Sequence, residues 1–299
     1  MFWNEPSALV DPDEHVHRSE LANLRVVLNL LCVLDDDEIL DAICTTFPDP
    51  PLSEFVAVFW YYQGHEVPNA KECVLPTGAA DLIIRLDSAR TCDSGMFGPR
   101  TRSVVINTTS RHELIGVHFR LGGAFPFLKF PVDDLQNASL TINDLWGERD
   151  AQRLLCMLHE APSGERKFQI LEQWLLQRAG DRLHKHPAVV FAMRAFWSGP
   201  FGSAAEIADK TGYSQRYFIE LFRKEVGLTP KRFHRLCRFR KVIETVRYQT
   251  LVDWADIAFA LGYYDQAHLI HEFREFSDLT PQQYVTLRTP FINHVRLPD

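Results

Sequence analysis

Gln215, Arg216, Ile219, Glu220 and Arg223 fall at i, i+1, i+4, i+5 and i+8, the spacing that puts side chains on one helix face. Fifty-one residues later, Gln266, Ala267, Ile270, His271 and Arg274 repeat that spacing. These residue types share a chemistry. Arginine can bond the O6 and N7 edge of guanine, glutamine can bond adenine, and glutamate can accept from the amino group of cytosine. A small apolar side chain can meet the methyl of thymine. An ordinary solvated helix would look similar, with ion pairs Arg216–Glu220 and Glu220–Arg223 at favourable spacing. The repetition decides between the two readings.

The elements that would position these faces are themselves duplicated. Ile207, Ala208, Gly212 and Tyr213 correspond to Ile257, Ala258, Gly262 and Tyr263 at an offset of 50. Phe222, Leu228, Thr229 and Pro230 correspond to Phe273, Leu279, Thr280 and Pro281 at an offset of 51. One extra residue therefore sits after the second Gly-Tyr, where a turn can absorb it. Each copy reads as a short helix, a glycine that closes it in the left-handed region, and a second helix capped by Ser214 or Asp265. Phe218, Leu221 and Phe222 form the buried stripe of the first such helix. This is the pattern of a helix-turn-helix. His268 lies near the start of the second reading helix, where it either touches a phosphate or a base or serves as a packed or capping side chain.

Between the copies, Thr229-Pro230 opens a helix that can run to Tyr248, and "KRFHRLCRFRK" (231–241) carries six cations and no acid. Lys231, Arg232 and Arg235 are expected on DNA phosphates, and Arg238 on phosphate or on the surface of the linking helix. Such a rod would hold two reading helices about 34 Å apart, one turn of duplex.

The segments "IADKTGYSQRYFIELFRKEVGLTPKRF", "IAFALGYYDQAHLIHEF" and "LTPQQY" resemble the DNA-binding domain of AraC/XylS-type transcriptional regulators, and the likeness runs over residues 187–288. The resemblance implies two helix-turn-helix units joined by a long helix. Ser214–Phe222, with Tyr217, and Asp265–Phe273 would enter successive major grooves. The chain departs from some members at Ile219 and Glu220, which implies that the first helix reads fewer bases or uses Glu220 on cytosine.

Charge agrees with this division. The chain has a net charge of −7, yet from Pro187 onward 15 Lys and Arg face 12 Asp and Glu, so the acidity belongs to the remainder. No Lys or Arg precedes Arg18, which is unlike a signal peptide, and the longest apolar run, Val26–Leu34, is too short to span a bilayer. The six cysteines form no C-x-x-C, and reduced thiols in a cytoplasmic protein are expected.

The fold expected is α+β, a β-rich part followed by an all-α domain with two helix-turn-helix motifs. Residues 1–47 read as a helical extension, 48–180 as a β-rich sensing or dimerising domain, and 181–299 as the DNA-binding domain. Residues 55–62, 80–86, 103–107 and 113–121 read as strands of a small barrel or sandwich, with "GMFG" (95–98) as a turn. "VLPTGAADLII", "IGVHFRLGGAFPFL" and "LWG" resemble the cupin-like domain often attached to these regulators. That resemblance implies ligand sensing, dimerisation or both.

His118 and Arg120, two apart on one strand, are the candidates for effector contact, with a satisfied structural role as the alternative. Phe168, Leu171, Leu175 and Leu176 stripe a helix at 165–177, with Trp174 beside them. That face packs either on its own barrel or on a second copy. No G-x-S-x-G, no phosphate-binding Gly-Lys-Ser/Thr loop and no metal-ligand spacing occurs, and no cofactor is implied. The expected partners are double-stranded DNA, a small effector, a second copy, and RNA polymerase if the output is activation. A cupin-type enzyme with a regulatory DNA-binding tail is the alternative, and a pure interaction protein is a third reading.

Overall fold

The computed structural model describes residues 43–63, 71–107, 112–198, 203–289 and 293–297. The helical extension read at 16–47 lies outside the described residues up to 42. Its last part is corrected, because β1 (Ile43–Thr46) is a strand paired antiparallel with β2 (Val56–Gln63). Two β-branched threonines suit that extended edge.

The main sheet is antiparallel throughout, in the order β1-β2-β7-β4-β5-β8. Its remaining members are β4 (Asp81–Arg85), β5 (Gly95–Phe97), β7 (Glu113–Phe119) and β8 (Ser139–Thr141). β5 corrects the reading of residues 95–98 as a turn. A Cβ on Gly95 would lie 2.6 Å from the Leu140 carbonyl oxygen, so the glycine that looks like a turn signal is there to let β8 approach. In the centre of the sheet Trp60 stands opposite Gly116, and a Cβ at Gly116 would sit 2.2 Å from the indole.

Three helices cover the sheet: α1 (Ile142–Trp146), α2 (Glu148–Glu160) and α3 (Gly164–Ala179). Phe168, Leu171, Trp174 and Leu175 of α3 are buried in the core shared with the sheet, and Leu176 packs at its margin. The apolar stripe is therefore covered within the chain, and the alternative of a partner helix on that face is corrected. Lys167 is buried on the same helix and donates to the carbonyls of Leu158 and Ala161, satisfying the end of α2.

A second core begins with α4 (Pro187–Ser198) and continues through α5 (Ala204–Thr211), α6 (Gln215–Val226), α7 (Pro230–Val246), α8 (Trp254–Ala260), α9 (Gln266–Ser277) and α10 (Pro281–Leu287). It also takes Cys73 and Leu75 from the sheet region and Val295 from the end of the chain. These last belong to a small sheet in the order β6-β3-β9, with β3 (Lys71–Val74), β6 (Val104–Asn107) and β9 (His294–Arg296). Within it the buried Glu72 carboxylate lies 2.7 Å from Nδ1 of His294. Strand β9 thus pairs with a strand from the first half of the sequence.

Gly116 and Gly212 should respond differently to alanine. Gly116→Ala drives a methyl into a fully buried indole and should cost about 2–4 kcal/mol. Gly212 has φ +74° with open space around it, so alanine there meets only backbone strain and should cost about 1 kcal/mol. Urea unfolding followed by tryptophan fluorescence separates the two; equal costs would contradict the close packing at Gly116.

Candidate nucleic-acid interface

The two repeated units form as their punctuation demands. Gly212 adopts φ 74° and closes α5, and the Ser214 hydroxyl accepts from the Tyr217 N–H to start α6. In the second unit Gly262 has φ 72°, and Asp265 caps α9 by accepting from the His268 N–H at 2.7 Å. The extra residue of the second copy is Tyr264, absorbed in the turn with its ring 92% exposed beside the start of α9. Thr229-Pro230 and Thr280-Pro281 open α7 and α10, the latter with a full capping box. At 17 residues α7 spans about 26 Å.

On α6, Gln215, Arg216, Tyr217 and Glu220 are exposed and Ile219 is half-buried. Arg216 has a side chain 90% exposed and pairs with Glu220 at 3.1 Å. An exposed pair of this spacing is worth a few tenths of a kcal/mol and is readily exchanged for another partner. Gln266, Ala267, His271 and Arg274 are exposed on α9, and Ile270 is half-buried. His268 takes its capping and packing alternative: its Nδ1 accepts from the Tyr264 N–H, and its ring meets Tyr263 edge-on at 5.3 Å.

The basic segment is placed otherwise than its composition suggests. Arg235 Nε donates to Glu272 at 2.7 Å, and its Nη2 pairs closely with Glu275. Arg238 Nη2 reaches the same Glu272 carboxylate at 2.7 Å, and its guanidinium lies over the Tyr263 ring. Arg232 donates to Thr101 in the sheet region and pairs with Glu275 at 3.6 Å. Arg240 is buried beside Trp197. These arginines lock α7 to α9 and to the sheet region, while Lys231 stays exposed. Arg232 and Arg235, expected on phosphates, have partners within the chain, and Glu272 and Glu275 repeat the three-residue spacing of Arg235 and Arg238 on the facing helix. That matched spacing is the signal the composition hides.

Arg223, expected on the reading face, is also engaged. It pairs at 2.6 Å with Asp133 on the 3-10 turn Val132–Leu135 of the sheet region. Lys224 lies over Phe125, and the Gly227 turn abuts Pro99 and Val132. The sheet region thus clasps the C-terminal half of α6 and leaves its N-terminal half open. No sequence signal marks Asp133, which lies 90 residues from its partner.

The effector pair is placed in the wall of the sheet. His118 is buried with Nδ1 2.6 Å from Asp81, its cross-strand neighbour, and Arg120 Nε donates to the Ser53 carbonyl. His118 thus ties β4 to β7, the satisfied structural role that the sequence leaves as its alternative. Among the described residues no three His, Cys, Asp or Glu side chains gather as a metal site would require, and no helix is long and apolar enough to cross a membrane.

Residues 207–286 match a family described as a helix-turn-helix domain, and residues 45–141 match one described as a domain of unknown function (DUF6597). No curated protein matches the chain. Among solved structures, the C-terminal domain of AraT, a response regulator from Geobacillus stearothermophilus, is 21% identical, with a TM-score of 0.32, over 35% of this chain and 88% of that one. ToxT from Vibrio cholerae is 9% identical, with a TM-score of 0.35, over 82% of this chain and 98% of that one. Likenesses this distant say nothing of ligands or sites in this chain.

Glu272→Gln should be among the most damaging single changes in the second core. It leaves two guanidinium groups facing a neutral amide, at a cost of about 3–5 kcal/mol. Glu275 is half-exposed, and its bond to Arg235 holds its carboxyl below the ordinary range. A lowered carboxyl contributes stability above its unfolded pKa and loses it as pH falls. Glu275→Gln should therefore cost about 1 kcal/mol or less at neutral pH, and the cost should vanish as pH falls through the lowered carboxyl range. Thermal unfolding across pH checks both values.

Proposed function

We propose that this chain, which carries the AraC-type helix-turn-helix domain over residues 207–286 and is a DNA-binding transcriptional regulator, reads one operator with α6 and α9 and is modulated by its sheet region. The observation that carries the reading is the pair of exposed helix N-termini, Gln215-Arg216 and Gln266-Ala267, at equivalent places in two capped units. Side chains in the first turn of a helix reach base edges most readily, and the charge of the groove is met by the backbone N–H groups at the same end. Lys231 and Arg274 supply exposed cations, and Tyr217 and Tyr264 flank the two starts as exposed aromatic side chains.

Modulation is supported by the clasp on α6. Arg223 belongs to the reading face, and its partner Asp133 belongs to the sheet region, so a change in that region alters the first reading helix directly. The second helix meets the sheet region only past its reading face, where Ser103 bonds Phe276 and Asp278 at its C-terminal end, and Arg274 has no carboxylate partner there among the described residues. In this reading the two halves of an operator are recognised by one chain, and a second copy adds avidity rather than completing the site.

Selection of duplexes from a random pool, followed by footprinting, tests the reading. Enriched sequences should contain two short elements about one duplex turn apart. Arg216→Ala should cost about 1–3 kcal/mol on the enriched duplex and relax preference at one or two base pairs. No enrichment, or an unchanged preference in Arg216→Ala, removes α6 as a reader. Asp133→Asn should free Arg223 and tighten duplex binding about 2- to 5-fold. Unchanged or weaker binding would falsify the clasp as a restraint.

A further inference from the structure

A cleft of about 340 Å³ opens where the sheet region meets the start of α7. Three guanidinium groups, from Arg100, Arg102 and Arg232, line it together with Thr101, Ser103 and Asn137. Only one of the three has a counter-charge. Arg232 lies 3.6 Å from Glu275, whereas no carboxylate pairs with Arg100 or Arg102 among the described residues. Nε of Arg232 is buried without a hydrogen-bond partner. Converging like charges repel, and a buried donor without an acceptor costs free energy, so the cleft is electrostatically incomplete.

Its floor is prepared rather than incidental. Asn137 sits at φ 55°, a left-handed conformation unusual for a residue other than glycine. Its Oδ1 accepts from the Thr101 N–H at 2.8 Å, and its Nδ2 donates to Thr101 Oγ1 at 3.0 Å. The same hydroxyl accepts from Arg232 at 3.1 Å. Ser103 in turn donates to Asp278 at the end of α9. Strain held in place by a bonded network marks a position fixed for a purpose.

We propose that this cleft binds a phosphate-bearing ligand. Phosphate and pyrophosphate oxygens match the forked donors of arginine, and two or more negative charges balance the unpaired cations. The cleft also has a lever. Gln136 and Asn137 continue directly from the turn that carries Asp133, so an anion drawn to this wall acts on the segment that holds Arg223. This last consequence rests on the regulator reading above; the binding itself does not. The phosphate comes either from a free small molecule or from the backbone of the duplex.

The test is calorimetric titration of the full chain with sodium pyrophosphate, in phosphate-free buffer at fixed ionic strength. Saturable binding is expected, weakened at least about tenfold in R100Q/R102Q. Arg102 is exposed, so R102Q alone provides a folded variant should the double change not fold, and it should weaken binding in the same direction. No saturable heat, or binding unchanged in these variants, overturns the proposal.

The enriched duplex then separates the sources. If pyrophosphate and duplex exclude each other, and R100Q/R102Q flattens the salt dependence of duplex binding, the cleft takes a backbone phosphate. If both bind together, it takes a free anion. Retardation of the duplex is measured on the same preparation. Retardation without pyrophosphate binding removes the cleft and leaves the regulator; pyrophosphate binding without retardation does the reverse.

Discussion

A glutamate with no exposed surface, Glu272, sits on the second reading helix among Phe273, Phe276 and Leu269. A lone carboxylate there would be intolerable, and it persists because Arg235 and Arg238 reach it from the linking helix. Ion pairs of this kind add little net stability over an apolar contact, but they punish misalignment severely. Only one rotation and one register of α9 against α7 satisfy both guanidinium groups. The second unit adds this charged lock to the aromatic contacts of Phe239 with Phe273 and Phe276, while the first unit is packed by the aromatic contacts of Phe196, Phe218, Phe222 and Phe233.

The two units are consequently held differently although their sequences repeat. α6 is held at its C-terminal half by Asp133, Phe125 and Val132 from the sheet region. α9 is held by the arginines of α7 and, at its C-terminal end, by Ser103 of the sheet region, whose N–H donates to the Phe276 carbonyl and whose hydroxyl donates to Asp278. The sheet region thus touches both reading helices at their C-terminal ends, through an ion pair at the first and hydrogen bonds at the second, and leaves both N-termini open.

The helix-turn-helix units were legible because their determinants are local. A glycine in the left-handed region, a capping Ser or Asp and a Thr-Pro start act within a few residues and leave marks at fixed spacing. The strands 55–62, 80–86, 103–107 and 113–121 were legible for a similar reason, as runs of β-branched and aromatic residues. What stayed hidden depends on distant partners. Gly95 looks like a turn residue until the β8 backbone is laid against it. Arg232 and Arg235 look like free cations until Glu272, Glu275 and Thr101 are brought beside them. His118 looks like a pocket residue until Asp81 stands beside it. Composition reports which charges exist, and only the fold reports which have been neutralised.

The pairing of β9 with β3 has a consequence for the order of assembly. All the residues of the first core lie between Leu52 and Ala179, so that unit can form while the rest of the chain is still being synthesised. The second core cannot close in that way. Cys73 and Leu75 emerge early, yet β9, which carries their partner Val295, lies 222 residues further along the chain. Until β9 is in place β3, paired only with β6, keeps its other edge open, an invitation to pairing with other chains. Folding of the helical part alone therefore leaves the second core open; the pairing of β9 with β3 closes it.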